Sequence, residues 1–484
     1  MRKTFLSVFL LCAVLPPLAA DVFPSPRDGV YHIIGELDME NATVTLAPGS
    51  TLDLTQGSLR DGTLIGDESR LRVDSGREVL SGVLLKGHWC GEVQDRWFRL
   101  EGNSPYGIVS SVFKFNEVTF FRDAYWLETW YPVTLNRDWM EVHGNGVRLY
   151  LPSDKGDAEK GKWGYKYKLE CLFSNPVREA PGGSFVFEDI RIEDNASAIR
   201  RDGWGQDMET FRVYFYFEVT GRELVFRNVS SDGMGVLVQV YNLWQHIDRI
   251  EMDGCSVKAG QFALEVGNLL REGYPGGSCS EIVLRNCRFI QYPCQPYVGL
   301  LSVVGDVLTE RMLVESCYFD GSLKDGNLEL SSVAHVVFRD NTCINQFTNS
   351  YLLPRIKRYD ILDNTFLFRK RRSNVSFGFG GEEVVFKNNR LVYEEEDVGF
   401  ISVSPQVRSL EMNRNVFDFS RVETMTADRT AIALKGADLT GLEVKMYRNR
   451  VIPPPGQGKH HFIFRLPERM SASVANRLEG VLVR

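Results

Sequence analysis

A nine-residue pattern recurs about eleven times along this chain and limits what the chain can fold into. Apolar residues alternate, a polar pair interrupts them, and the alternation resumes. VVFKNNRLV (384–392) is a clear copy, and LEMNRNVFD (410–418) and VKMYRNRVI (444–452) follow it. Before it come YDILDNTFL (359–367), VVFRDNTCI (336–344), MLVESCYFD (312–320), IVLRNCRFI (282–290) and IEMDGCSVK (250–258). More worn copies are LVFRNVSSD (224–232), FVFEDIRIE (185–193) and MEVHGNGVR (140–148). A repeat at a nearly fixed period describes architecture before it describes chemistry.

The sixth position of the copies is Asn145, Ile190, Val229, Cys255, Cys287, Cys317, Asn341, Asn364, Asn389, Asn415 and Asn449. The steps between them are 45, 39, 26, 32, 30, 24, 23, 25, 26 and 34 residues, and the shortest defines one structural turn. Twenty-three residues suffice for three short strands and their corners. In VVFRDNTCI, residues 336–338 form one strand, Asp340-Asn341 a tight corner and 342–344 the next strand. Asn suits the corner because it tolerates left-handed geometry, and its amide can bond the same amide one turn away. A third strand follows a loop: GVLVQVY (235–241), FALEVGN (262–268), GLLSVVG (299–305), NLELSSV (327–333), GFISVSP (399–405) and TAIALKG (430–436).

No helix-length amphipathic stretch lies between copies, so βαβ crossovers cannot join the strands. The turns must stack directly, each strand beside its equivalent. That is an all-β, right-handed parallel β-helix: a three-sheet solenoid with an N-terminal cap. A β-sandwich or jelly roll is the rival, but its turn signals recur at about 8–12 residues and it predicts no slot-specific Asn or Cys series.

The ends read differently. Residues 1–20 carry Arg2 and Lys3, an apolar run from Phe5 to Leu15 and the small residues Ala19-Ala20. That order is a secretory signal, too short to span a bilayer, with cleavage expected after Ala20. Cys12 raises a lipoprotein alternative, against which Leu11 is too large for the position before a lipidated cysteine. The protein is therefore expected to be exported, periplasmic or extracellular, without membrane insertion. TVTLAPGSTLDLTQGSLRDGTLIG (43–66) reads as opening coils, and 104–115 as a short helix with Ser104 capping and Pro105 in its first turn. Residues 67–130 are expected to cover the solenoid end, so that 21–130 form opening coils and cap. Residues 131–452 form the β-helix, and 453–484 a last coil and cap.

Formal net charge is −7, which leaves no basic stripe to displace counterions from nucleic acid, so no nucleic-acid partner is expected. RKRR (369–372) sits between two repeats, as a solvated turn or an anion site. Nine cysteines in an exported chain invite a disulfide reading, but Cys255, Cys287 and Cys317 share one repeat slot. There they act as small buried hydrophobes. Cys279 and Cys294 lie outside the repeats and could pair.

The signal sequence, the opening APGSTLDLTQGSLRDGTLIG and the repeats together resemble the right-handed parallel β-helix, pectin-lyase-like superfamily. The likeness covers roughly residues 40–460. It implies an exported carbohydrate-active protein, chiefly a glycoside hydrolase or polysaccharide lyase, with non-catalytic binders and adhesins also among its members. It also implies that a polysaccharide or oligosaccharide lies along the sheet of third strands, between long bordering loops.

The spacing lengthens early in the chain, in 152–184, 195–222 and, less so, 267–281 and 291–298. These stretches carry Trp163, Tyr165, Tyr167, Trp204 and Tyr274, candidate faces for stacking on sugar rings, or simply packing for the loops. Alternation assigns the outer face of the third strand. In VYFYFEV (213–219), Val213, Phe215, Phe217 and Val219 point inward and Tyr214, Tyr216 and Glu218 outward. The same logic exposes Gln239 and Tyr241, Glu265, Ser302, Glu329 and Ser331, and Ser402. Neighbours in this row stand about 4.8 Å apart. Glu218 and Glu265 are two coils apart, as are Glu265 and Glu329. Two coils span nearly 10 Å (about twice the strand spacing), at the upper edge of the range for an inverting glycosidase. One Glu would then be the acid and the other would activate water.

Asp202 and Asp207 are further acids on early loops, and Asp232 precedes a third strand, where a turn before Gly explains it equally well. A lyase would need a group to neutralise a uronate and a base. Arg271, Arg200 and Arg201 could serve the first need, and His246 or Tyr241 the second. Arg355-Ile356-Lys357 resembles a pectin-hydrolase tripeptide, but the accompanying Asn-Thr-Asp, Asp-Asp and Gly-His-Gly elements are absent, which excludes polygalacturonase. His460-His461 lacks Cys or acid partners at ligand spacing, and no Asp cluster has calcium spacing, so no metal or cofactor is expected. The leading expectation is a glycoside hydrolase with its site over residues 200–330. The alternatives are a lyase on a uronate polymer and a non-catalytic glycan-binding surface protein.

Overall fold

The computed structural model describes residues 23–74, 76–128, 132–136, 139–151, 168–175, 183–194, 210–217, 222–233, 235–241, 246–259, 262–268, 278–291, 300–305, 309–321, 326–349, 356–369, 377–394, 401–423, 431–435, 441–456, 463–465 and 482–483. Residues 1–20, Cys12 among them, and His460-His461 lie outside them. No described helix is long and apolar enough to cross a membrane.

Each repeat builds one coil of a parallel β-helix. In the shortest coil a leading strand, Val333–Arg339, turns at Asp340-Asn341 into a middle strand, Thr342–Ile344, and a third strand, Gln346–Asn349, follows. The next coil repeats the order 23 residues on, setting His335 opposite Arg358 and Thr342 opposite Thr365. Among the described residues every strand pairing is parallel, and equivalents stack into leading, middle and third sheets; the third holds 13 described strands, from Val133–Thr134 to Leu482–Val483. With the strands parallel and directly stacked, the sandwich alternative is excluded. The long third strands expected from sequence form as Val236–Tyr241, Leu264–Asn268, Leu301–Gly305 and Gly326–Leu330.

The Asn corner divides its work between two residues. The left-handed backbone belongs to the fifth position: Asn228, Asn286, Ser316, Asp340, Asp363, Asn388, Arg414 and Arg448 all have φ between 52° and 58°. From Asn341 onward the sixth-position Asn is not left-handed; it is buried. Asn389 Oδ1 accepts from the Asn364 amide N–H (3.0 Å) and from Asn364 Nδ2 (3.0 Å), while Asn389 Nδ2 donates to the Ile361 carbonyl (2.9 Å) and to Asn415 Oδ1 (3.1 Å). The pattern runs from Asn341 through Asn449 and satisfies backbone groups that the corner leaves without sheet partners. Cys255, Cys287 and Cys317 fill the same buried slot in earlier coils, and Cys255 and Cys287 donate weakly to carbonyls of the preceding coil. Cys279 is a free thiol, pushed up to about 12 by burial, and donates to the Glu281 carbonyl. It therefore holds no disulfide; Cys294 lies outside the described residues.

On the outer face of the leading sheet, charges alternate from coil to coil. His143, Glu188 and Arg227 succeed one another in register, as do Arg285, Glu315 and Arg339. Glu188 pairs with Arg227 at 2.6 Å, and Glu315 with both its arginines. Opposite charges on facing strands favour this register, each by a few tenths of a kcal/mol to about 1 kcal/mol.

The opening coils begin near residue 30. Val30 stands opposite Thr51 and Leu59 opposite Leu80. Gly87 (φ +80°) allows the tight approach there, since a Cβ would sit 2.1 Å from the Gly66 carbonyl oxygen. The expected helix forms as Pro105–Val112, with Ser104 Oγ accepting from the Gly107 amide (3.0 Å) and Pro105 in the first turn. It buries Ile108, Val109 and Val112 in the common core. It also closes part of a strand edge: Leu85 N–H donates to Ser111 Oγ (3.0 Å) and Val83 N–H to Asn103 Oδ1 (3.1 Å). Ser104→Ala should lower stability by about 1 kcal/mol, read from urea unfolding, with Ser104→Gly milder. Equal loss in both variants would deny the cap its role.

Candidate active site

One row of residues on the outer face of the third sheet gathers the polar groups that alternation predicted. Register sets Tyr216 opposite Gln239, Gln239 opposite Glu265, Glu265 opposite Ser302, and Ser302 opposite Glu329. The flanking residues Leu264 and Val266, Leu301 and Val303, and Leu328 and Leu330 are buried. Because strand side chains alternate, inward neighbours on both sides send the residue between them outward.

Outward here does not mean freely solvated. Gln239 is 6% exposed and Ser302 2%, while Glu265 and Glu329 keep part of their surface open. Gln239 Nε2 donates to Glu265 Oε2 at 2.6 Å. Burial pushes the Glu265 carboxyl up to about 7; the Gln239 hydrogen bond opposes this and the nearby Glu329 charge adds to it. Burial also raises Glu329, opposed by a hydrogen bond from Ser302. Two strand steps, about 9.6 Å, separate the backbones of Glu265 and Glu329 along the row. The arrangement holds one carboxyl readily protonated near neutrality, with another within electrostatic reach.

Tyr216 joins the row but is covered. It is 6% exposed and packs with Cys171, Val213 and Val236 in a small apolar cluster outside the sheet, against Phe262. Two orientations differ from simple alternation. Val213 belongs to this outer cluster, whereas Tyr214 lies in the main core with its hydroxyl donating to Asp194 Oδ2 (3.2 Å). Alternation breaks because two successive side chains face inward at the same level of each coil: Tyr214-Phe215, Leu237-Val238, Ala263-Leu264 and Leu300-Leu301. Ser331, expected outward on the strand, instead sits buried in the turn before Val333.

Asp232 ends the middle strand Ser230–Asp232, and its carboxylate meets Lys258 Nζ at 2.6 Å. His246 lies just before the leading strand Ile247–Asp253, its ring nitrogens 2.7 Å from Ser278 Oγ and 3.0 Å from Ser280 Oγ. Tyr241 is in register with Gly267, beside the row. Glu218, Trp163, Tyr165, Tyr167, Arg200, Arg201, Asp202, Trp204, Asp207, Arg271 and Tyr274 lie outside the described residues. Sequence reading missed Asn349, whose backbone continues the row opposite Glu329. Its strand QFTN is short and lacks clean alternation. Among the described residues no three His, Cys, Asp or Glu gather to hold a metal ion. No family model, no curated protein and no solved structure matches the chain.

Proposed function

We propose that the protein is an exported glycoside hydrolase of the right-handed, pectin-lyase-like kind, cutting a polysaccharide held across the third sheet with inversion at the anomeric carbon. The observation that supports this most is the pair of partly buried carboxyls, Glu265 and Glu329, two coils apart on one outward row. Two strand steps, about 9.6 Å between their backbones, sit at the upper edge of the spacing that leaves room for a water beneath the sugar in inverting hydrolysis.

Glu265, raised most by its surroundings, carries the proton and gives it to the departing glycosidic oxygen. The resulting carboxylate keeps the Gln239 amide hydrogen bond, which favours its charged form. Glu329 takes a proton from the water that attacks the opposite face of the ring. Ser302, between them in register, orients Glu329 through its hydroxyl. The two carboxyls then exchange their protonation states with solvent for the next turnover.

Digestion of a broad glycan panel tests the proposal, with reducing ends assayed chemically and the first-formed anomer read by proton NMR. New reducing ends with inverted configuration are expected on one polymer class. Retained configuration, ultraviolet absorbance from an unsaturated uronate, or inactivity across the whole panel would each overturn it.

A further inference from the structure

A second aromatic feature stands on a different sheet from the carboxylates. Trp126 ends the short middle strand Ala124–Trp126 and is 64% exposed, and Tyr150 lies opposite it one coil on. Their rings are face to face, with centroids 3.8 Å apart and planes within 8°. Among the described residues, Ala124–Trp126 pairs with no strand other than Met140–Leu151. One face of the indole is therefore braced by Tyr150, while the other looks out beyond the end of the sheet. Single exposed hydrophobic residues are ordinary. A flat exposed ring held rigid by a stacked partner is a prepared surface.

Polar groups border the ring. Arg148 Nη1 approaches the Tyr150 hydroxyl at 3.5 Å, and the carboxylates of Glu193 and Asp123 lie close enough to act on the same guanidinium. Glu193 is the next residue in register after Tyr150. Nearby in sequence, Phe121 is 48% exposed and carries the Arg96 guanidinium 3.8 Å above its ring.

We propose that Trp126 and Tyr150 form a glycan-binding platform, separate from the Glu265–Glu329 row, that takes a neutral pyranose unit. The C–H face of a pyranose is flat and apolar and packs on an open indole by dispersion and weak C–H contacts. Its equatorial hydroxyls project outward in the ring plane, where Arg148 can donate and Glu193 or Asp123 can accept. The Glu193 and Asp123 carboxylates balance Arg148 and Arg191, the residue opposite Arg148 on the next coil, so the border carries no net positive charge to draw uronate or sulfate sugars. The platform is far smaller than a stable protein interface, which buries about 800 Å² per partner. Its role would be to hold a chain against the solenoid, and it does not depend on whether Glu265 and Glu329 hydrolyse that chain.

Native affinity electrophoresis of the full chain tests the platform directly. The gels contain mixed-linkage β-glucan, xylan, galactomannan or, as the anionic counterpart, polygalacturonate. At least one neutral polymer should retard the wild type, and Glu265→Gln, included so that the gel polymer is not digested, should be retarded equally. Trp126→Ala should weaken that retention roughly fivefold to tenfold, the loss of one stacking contact. Tyr150→Phe, which keeps the bracing ring, should stay within about twofold of wild type. Thermal melting checks that Trp126→Ala remains folded, as expected for an exposed ring; if it does not, Trp126→Phe takes its place and should bind detectably more weakly. Three results overturn the platform: undiminished retention in the Trp126 variants, no retardation of the wild type by any neutral polymer, or an effect confined to polygalacturonate.

Discussion

Glu265→Gln should lower kcat about a thousandfold, the usual scale for removing a general acid, while leaving binding of the substrate polymer intact. Glutamine keeps the shape and the hydrogen-bonding capacity toward Gln239 but cannot deliver a proton to the leaving oxygen. The pH profile provides a readout that a merely structural role would not move. Wild-type kcat/KM should fall on the alkaline side with an apparent pKa of about 7, because Glu265 must be protonated to act. In Glu265→Gln the residual rate should lose that alkaline limb. Glu329→Gln should lose the acidic limb instead, since its carboxylate must be charged to take a proton from water. Activity unchanged in either variant, or an alkaline limb that survives in Glu265→Gln, would remove the assignment.

The same residue has a stability signature of opposite sense. A carboxyl raised from 4.5 to about 7 binds its proton more tightly in the folded state than in the unfolded one. Its contribution to stability is therefore fully present below pH 4.5 and is lost as pH rises through about 7. The loss is at most about 3–4 kcal/mol, since the rise is about 2.5 pKa units and each is worth about 1.4 kcal/mol. Glu265→Gln should consequently melt higher than wild type at pH 8 and show little difference at pH 4. A site held in place for chemistry at the expense of stability behaves in this way. A passive surface glutamate would show neither effect.

Much of this could be read from the chain alone, for a specific reason. In FALEVGN, GLLSVVG and NLELSSV, Glu265, Ser302 and Glu329 stand between apolar residues that the core claims, so a period of two places all three on one outer row. The Asn series was equally legible, because one slot repeated through stacked coils must sit at one depth. Alternation failed where two successive side chains of a strand face inward. Tyr214 and Phe215 both face the core, at a point inside the strand Thr210–Phe217 where the pairing with both neighbouring strands skips Tyr214. The corner also misled about Asn341, since the left-handed conformation belongs to Asp340 before it (φ 55°). A residue type that tolerates two jobs does not reveal which one it does. The Trp126–Tyr150 stack was hidden for a different reason: its partners are 24 residues apart and lie outside every copy of the repeat. Only the register of the folded coils brings them together.

The division of labour at the corner yields the second large effect. Asn389→Leu should destabilise the protein by about 4 kcal/mol, whereas Asn388→Ala, one residue earlier, should cost only about 1 kcal/mol. Asn388 has φ 57° and donates to Asp363 Oδ1 at an exposed position, so alanine there loses a mild conformational preference and a solvated hydrogen bond. Asn389 is fully buried. Leucine preserves much of its volume but removes the acceptor for the Asn364 amide N–H and the donor for the Ile361 carbonyl. It also strips one partner each from Asn364 Nδ2 and Asn415 Oδ1. No water can replace these partners inside a closely packed coil, and each orphaned buried group costs about 1–3 kcal/mol. Because a solenoid's stability is summed over neighbouring coils, the damage should centre on residues 359–418. Hydrogen exchange should accelerate there first, and the urea midpoint should fall with it. A loss in Asn389→Leu no larger than in Asn388→Ala would mean that the amide ladder decorates the corner without holding the coils together.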